Sequence, residues 1–384
     1  MSVTAAKGFR AAGVAAGLKS GGGLDVALVV NDGPNDAAAA VFTSNRCKAN
    51  PVLWSERTAA DGRLRAAVLN SGGANCYTGP EGFDLTHATA EKVAELAGIS
   101  GFDVLVCSTG LIGPMFDRDH MLAGVTAAHQ ALGAEGGDDA AHAIMTTDSV
   151  SKQSVLTAPA GWTIGGMAKG AGMLAPALAT MLVVITTDAD VDAAGCDAAL
   201  RAATRVSFDR LDSDGCQSTN DTVALMASGA SGLTPDPAEF AAAVQAVCLD
   251  LARQLLADAE GADHEISIEV RGAASEADAV EVGRSVARSN LFKAAIFGKD
   301  ANWGRILAGV GTTTAAFDPA DLDVAMNGVW VCRKSAPGES PDAIDLTERQ
   351  VSVTIDLKAG DAAATVWTND LTHAYVHENS AYSS

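Results

Sequence analysis

The stretch Ala168-Lys169-Gly170-Ala171-Gly172-Met173-Leu174-Ala175-Pro176-Ala177-Leu178-Ala179-Thr180, running on into Met181-Leu182-Val183-Val184-Ile185-Thr186-Thr187, decides how this sequence is read. From Gly170 to Thr187 no residue is charged. The first half is small and glycine-rich, the composition of a loop that must turn tightly. The second half is rich in β-branched residues and predicts a buried strand over Met181–Thr187. Thr180 stands at the junction. A threonine there is ordinarily a packing residue, because its branched side chain fits a pleated surface. The alternative is chemical. A threonine hydroxyl is a poor nucleophile near neutral pH, and one way to activate it is to make it the first residue of a chain, so that its own amine serves as base. An α-amino group titrates at about 7.7–8.0, so a useful fraction is unprotonated. An internal threonine gains that amine only if the bond before it is cut. A strained Ala179–Thr180 peptide could be attacked by the Thr180 hydroxyl itself, through an ester.

Outward from this stretch, apolar runs bounded by turn residues predict strands at Leu24–Val30, Ala38–Phe42, Leu64–Leu69, Val104–Cys107 and Trp162–Ala168. Helical spacing predicts helices at Thr86–Leu96, Asp119–Leu132, Asp192–Val206, Pro237–Ala259 and Glu276–Ser289. Further strands are expected at Ile266–Val270, Asp323–Met326, Val329–Cys332 and Val351–Asp356, before a polar closing segment from Asp370 to Ser384. The irregular alternation of the two element types predicts an α/β or α+β layered architecture with helices covering sheets. Two predicted strands run into polar turns, Asn70-Ser71-Gly72-Gly73-Ala74-Asn75 and Ser108-Thr109-Gly110-Leu111-Ile112-Gly113. The second offers a hydroxyl and nearby backbone amides, the donor set that a developing oxyanion needs. Without context the strand-end turn is the favoured reading.

The 384 residues suggest two or three domains, or one large core with an appendage. With 48% hydrophobic and 19% charged residues the chain is not a disordered one. A net charge of −21 makes nucleic acid a poor partner, since phosphate repels such a surface. Seven cysteines, an odd number without a C-x-x-C pair, fit a reducing cytoplasm. Cys107, Cys248 and Cys332 follow valines and read as buried small hydrophobes. The Leu174–Ile185 apolar run is broken by Pro176 and is too short to span a bilayer, so no membrane association is expected.

Common catalytic signatures are missing: no G-x-S-x-G elbow, no phosphate-binding G-x-x-x-x-G-K-[ST] loop and no H-E-x-x-H zinc helix. Gly309-Val310-Gly311 lacks the third glycine of a dinucleotide loop. His373 and His377 have no partner ligands nearby in sequence, so no metal is expected. Ser149-Val150-Ser151-Lys152 matches S-x-x-K but lacks the S-D-N and K-T-G elements that accompany it.

The stretch Lys169–Leu182 with Thr186-Thr187-Asp188 closely resembles the self-cleaving site of the ornithine acetyltransferase family, the glutamate N-acetyltransferases of arginine biosynthesis. The resemblance covers essentially the whole chain. It takes in Lys7–Gly13, Asn70-Ser71-Gly72, Ser108-Thr109-Gly110, Ile144-Met145-Thr146-Thr147-Asp148, Ser218-Thr219-Asn220-Asp221-Thr222, Asn302-Trp303-Gly304-Arg305 and Tyr375–Ser384. It implies a layered α-β-β-α sandwich with helices outside two stacked sheets, as in self-processing aminopeptidases, and a smaller α/β domain, expected within 262–357. It implies scission between Ala179 and Thr180 into an alpha chain, 1–179, and a beta chain, 180–384, which both build the sandwich and remain associated in a heterotetramer or larger assembly. Thr180 would take acetyl from N2-acetyl-L-ornithine as an ester and pass it to L-glutamate in a ping-pong cycle. Thr109 and Gly110 would form the oxyanion hole. Thr146, Lys169, Thr180, Glu260, Asn379 and Ser384 would bind substrate. Lys169 is a point cation suited to an α-carboxylate, and Glu260 suits a cationic amine. No cofactor is implied, although some members of the family also accept acetyl-CoA as donor. Rival readings are a self-processed aminopeptidase of the same fold, a paralogue serving a secondary pathway, and a catalytically dead scaffold.

Overall fold

The structure is a computed structural model that describes residues 2–175 and 181–381. They fall into two compact units. The first comprises 2–171, 181–209 and 217–255; the second comprises 172–175, 210–216 and 256–381.

In chain order the first unit carries β1 (Phe9–Val14), β2 (Val26–Asn31), β3 (Ala38–Phe42), α1 (Asn50–Thr58), β4 (Ala66–Asn70), α2 (Gly79–Ala97), β5 (Val104–Ser108) and α3 (Arg118–Ala131). These are followed by α4 (Gly137–Ala143), β6 (Lys152–Thr157), β7 (Thr163–Lys169), β8 (Leu182–Thr187), α5 (Ala193–Val206), β9 (Thr222–Ala227) and α6 (Pro237–Ala257). One sheet has four strands in the order β1-β2-β4-β5, and the other has five in the order β3-β9-β8-β7-β6. The β4–β5 and β8–β9 pairs are parallel, and the other neighbours are antiparallel.

The two sheets face each other. Ala27, Val29, Ala67, Leu69, Leu105 and Cys107 of the first interleave with Met167, Leu182, Val184, Ala224 and Met226 of the second. Alternate residues point the other way, as strand geometry requires. Val26, Leu28, Val68, Val104 and Val106 meet Trp54 of α1, Leu85 and Val93 of α2, and Met121 and Val125 of α3. Beyond the second sheet, α6 lies so close to β7 that a Cβ on Gly166 would sit 3.0 Å from Leu251 and 3.3 Å from Val247. This is the α-β-β-α order of layers. It also explains why β2, β4, β5, β8 and β9 are buried along their whole length and read as continuous apolar runs, not as alternating ones. The helix α6 is apolar and long enough to cross a bilayer, with a mean hydropathy of 1.4, but Phe240, Val244, Val247, Leu251 and Leu255 bury its inner face as a core helix.

The second unit contains β10 (Glu265–Ala273), α7 (Glu276–Ala287), α8 (Asn290–Phe297), α9 (Trp303–Val310), β11 (Asp323–Met326), β12 (Val329–Arg333), β13 (Ala336–Pro337), β14 (Gln350–Asp356), β15 (Ala362–Asn369) and α10 (His373–Ala381). Its sheet runs β13-β12-β11-β14-β10-β15, and only β10–β14 is parallel. Ile266, Ile268 and Val270 pack with Val282 and Val286 of α7, Phe292 of α8 and Ile306 of α9. The helix expected over Glu276–Ser289 stops at Ala287, because the Ser289 hydroxyl accepts the Phe292 amide and begins a new helix. The strands β1, β6, β9, β13 and β15 and the helices α1, α4, α8, α9 and α10 add to the elements expected from sequence.

Candidate active site

The parallel pair β4–β5 sets Asn70 opposite Ser108, and both strands end there in the polar turns noted above. The Ser108 hydroxyl donates to Asn70 Oδ1 at 2.6 Å. The Thr109 amide donates to the Asn70 carbonyl at 2.9 Å, and the Gly73 amide donates to the Thr109 carbonyl at 3.0 Å. The Thr109 amide is thus committed to the turn. The donors that this turn can direct at an oxyanion are the Thr109 hydroxyl and the Gly110 amide. Gly110 has φ +132°, in the region that favours glycine.

Lys169 ends β7 and is buried. Its ammonium donates to Thr146 Oγ1 at 2.8 Å and to Thr109 Oγ1 at 3.2 Å. Three residues far apart in sequence, Thr109, Thr146 and Lys169, therefore form one cluster. A buried ammonium needs a counter-charge, and Asp148 provides it. Asp148 Oδ1 accepts the Gly170 amide at 2.6 Å and Lys152 Nζ at 2.5 Å, and Oδ2 accepts the Thr146 amide at 3.0 Å. Burial pushes the Asp148 carboxyl up, but the charges of Lys169 and Lys152 and the amide bonds outweigh it and hold it at about 2. Asp148 thus braces two of the expected substrate-binding residues at once. Lys152, the lysine of the S-x-x-K match, is wholly buried in this ion pair.

The Ser218–Thr222 segment leads into β9. Asn220 donates from Nδ2 to the Ala74 carbonyl at 2.6 Å and to the Ser108 carbonyl at 2.8 Å. Asp221 is fully buried, and its Oδ1 accepts the Met181 amide at 3.0 Å. Burial pushes its carboxyl well above the usual range, against the opposing pull of the Met181 amide.

In the second unit, Glu260 Oε2 accepts from Asn379 Nδ2 at 2.9 Å, and that nitrogen also reaches the Tyr375 carbonyl at 3.0 Å within α10. Burial raises the Tyr375 phenol, with nearby acidic groups adding to the effect. The Glu260 carboxylate lies against the α-carbon of Gly172: a Cβ there would fall 2.5 Å from Oε2.

The structure therefore brings Thr109, Gly110, Thr146 and Lys169 together in the first unit, and Glu260 and Asn379 together in the second. Ala179, Thr180 and Ser384 lie outside the described residues. Sequence reasoning gave no role to Asp148, Lys152, Asn220 or Asp221. Their segments stood out as motifs, but burial and partners are set by the fold. His373 packs edge-on against Phe297, with ring centres 5.4 Å apart, and no group of metal-binding side chains occurs among the described residues. Gly309 and Val310 lie in α9 and Gly311 caps it, so this is a helix end and not a phosphate loop.

The description of the ArgJ family matches residues 10–384. Among the relatives, the arginine biosynthesis bifunctional protein ArgJ of Streptomyces avermitilis is 63% identical over 384 residues, with all of both chains covered. The protein of the same name from Thermobifida fusca is 62% identical, again over the whole of both chains. Among solved structures, an ornithine acetyltransferase complexed with ornithine from Mycobacterium tuberculosis is 55% identical, covering 47% of this chain and 96% of that one, with a TM-score of 0.45. An arginine biosynthesis bifunctional protein from Bacillus halodurans is 38% identical, covering 51% of this chain and 96% of that one, with a TM-score of 0.48. With relatives aligned from end to end and the family description met from Arg10 onward, this chain belongs to the ArgJ family.

Proposed function

We propose that this chain transfers acetyl from N2-acetyl-L-ornithine to L-glutamate in arginine biosynthesis, with Thr180 as nucleophile after scission between Ala179 and Thr180. The observation that carries the reading is the buried Lys169 ammonium shared between the hydroxyls of Thr109 and Thr146, in a chain that belongs to the ArgJ family.

Scission begins when the Thr180 hydroxyl adds to the Ala179 carbonyl and displaces its own nitrogen. The resulting ester is hydrolysed by water, which leaves a carboxylate on Ala179 and a free amine on Thr180. In transfer, that amine takes the hydroxyl proton as Thr180 Oγ adds to the acetyl carbonyl. Negative charge gathers on the acetyl oxygen, where the Thr109 hydroxyl and the Gly110 amide are suited to receive it. Lys169 polarises the Thr109 hydroxyl that it donates to, which strengthens that donor. The intermediate collapses, ornithine leaves with the proton, and acetyl remains on Thr180. The glutamate amine then attacks the ester, N-acetylglutamate departs, and the Thr180 hydroxyl regains its proton.

Substrate contacts are assigned to Thr146, Lys169, Glu260, Asn379 and Ser384. Lys169 is suited to an α-carboxylate and Glu260 to a cationic amine, each by its charge. Acetyl-CoA is proposed as a second donor, in keeping with relatives described as bifunctional. The two chains are proposed to stay together in a heterotetramer or larger assembly in the cytoplasm. The test is the intact mass of the denatured protein, followed by acetyl transfer assays with each donor. A second fragment starting at Thr180 together with N-acetylglutamate formed from N2-acetyl-L-ornithine is the expected result. An uncut chain, or hydrolysis without transfer to glutamate, overturns it.

A further inference from the structure

The consecutive residues Asn220 and Asp221 have no part in the mechanism above, yet their side chains serve both halves of it. Asn220 donates to the Ser108 and Ala74 carbonyls, at 2.8 and 2.6 Å. The first of these belongs to the residue just before Thr109. The Thr219 hydroxyl donates to Asn220 Oδ1 at 2.6 Å, which fixes the amide so that its nitrogen faces the two carbonyls. Asp221 Oδ1 accepts the Met181 amide at 3.0 Å, and the Thr222 amide donates back to the Met181 carbonyl at 3.1 Å. The Met181 nitrogen is bonded to the carbonyl carbon of residue 180, and the Cα of that residue is only about 2.4 Å away by covalent geometry. The hydrogen bond thus holds the Met181 amide, the group bonded directly to residue 180.

We infer that Asn220 and Asp221 are the positioning residues of the acetyl-transfer centre, Asn220 holding the oxyanion turn and Asp221 holding the peptide that follows the nucleophile. The inference rests on the acetyl-transfer reading for its kinetic readout. Consecutive residues at a strand entrance point in opposite directions, so one rigid dipeptide can register two loops that the chain brings in from distant positions. Asp221 serves as an acceptor through Oδ1. Its Oδ2 is buried with no hydrogen-bond partner among the described residues, and burial raises the carboxyl well above its ordinary range against the Met181 amide, Ser218, Lys169 and Thr43. An amide has the same shape as the carboxyl group and keeps the acceptor.

The experiment compares full-length wild type with Asp221→Asn, Asp221→Ala and Asn220→Asp. The extent of scission is read by intact mass, and kcat and KM for N2-acetyl-L-ornithine are read per cleaved molecule. Asp221→Asn is expected to cleave fully, with kcat within about threefold of wild type. Asp221→Ala and Asn220→Asp should lower kcat by about 30-fold or more while KM stays within about twofold, since a misplacement near 1 Å costs on the order of 10²-fold. A merely structural role would lower the melting temperature and leave kcat per cleaved molecule intact. The inference is overturned if Asp221→Asn is as slow as Asp221→Ala, which would make the charge essential, or if Asp221→Ala keeps the wild-type kcat. Should Asp221→Ala fail to fold, Asp221→Asn still decides: near-wild-type kcat supports the inference and a loss overturns it. A wild type that cleaves itself but transfers no acetyl would remove the acetyl-transfer reading alone, and the extent of scission in the variants would still test the anchor.

Discussion

Gly110 leaves no room for a side chain against Gly73: a Cβ there would lie 2.5 Å from the Gly73 nitrogen. Its φ of +132° is in addition one that L side chains rarely adopt. Gly110→Ala should therefore push the two turns apart and displace the Gly110 amide. Loss of one oxyanion donor typically costs about 10²–10³ in kcat, and a loss of that order is expected with KM little changed. Steady-state kinetics on the cleaved protein check it, and a kcat within threefold of wild type would remove Gly110 from the oxyanion hole.

Thr180→Ala removes the hydroxyl on which both scission and acetyl transfer depend. The expected product is one uncut chain without transfer activity, seen by intact mass and by assay. A cleaved Thr180→Ala protein would refute self-processing by this residue.

Asp148 is a counter-charge of two buried lysines, and Asp148→Asn would remove that charge. Breaking a buried pair by removing one partner typically costs about 3–5 kcal/mol, so a marked fall in melting temperature at pH 7 is expected. The pH dependence has a definite sign. Asp148 has a folded pKa of about 2, below the unfolded value of about 3.9. Its contribution is present in full above the unfolded value and is lost as pH falls toward the folded one. Melting temperatures between pH 5 and pH 2 should show a decrement in wild type that Asp148→Asn lacks. Parallel curves for the two proteins would contradict the ion-pair account.

Gly172→Ala would place a methyl group 2.5 Å from Glu260 Oε2. The backbone at Gly172 is not in the left-handed region that excludes alanine, so the unit should fold while the carboxylate shifts. If Glu260 binds a substrate amine, KM for N2-acetyl-L-ornithine rises severalfold with a smaller change in kcat. An unchanged KM would separate Glu260 from substrate binding.

How far the sequence could be read depended on whether a property was local. The strands β5 and β8 lie between two layers, so their residues are apolar on both faces, and the runs at 104–107 and 181–187 stood out. The strand β1, Phe-Arg-Ala-Ala-Gly-Val, pairs along its full length with β2, yet alanine and glycine give it little strand propensity. The helix α10 has no buried residue among those described and therefore no apolar stripe to detect. At the site, Lys169 could be picked out because its motif is long and ordered, and Thr109 through the family resemblance that this motif carries. Asp148 and Asp221 could not be told apart from sequence, since each is an aspartate in a polar motif. Two lysines hold the first well below its ordinary value, while burial pushes the second well above it against the Met181 amide, Ser218, Lys169 and Thr43.

The adjacent strands β7 and β8 pair from Ile164–Thr187 to Lys169–Leu182, and β8 lies in the interior of its sheet, with β9 on its other side. A cut between residues 179 and 180 falls in the connection between these strands and removes no rung of the ladder. It changes the molecularity of unfolding. The uncut chain refolds alone, whereas two fragments must find each other, so the apparent stability of the cleaved protein gains a dependence on its concentration. Each fragment on its own would also expose unpaired strand edges, which invite aggregation. Maturation would thus turn a reversible folding unit into one whose persistence is set by how slowly its halves separate.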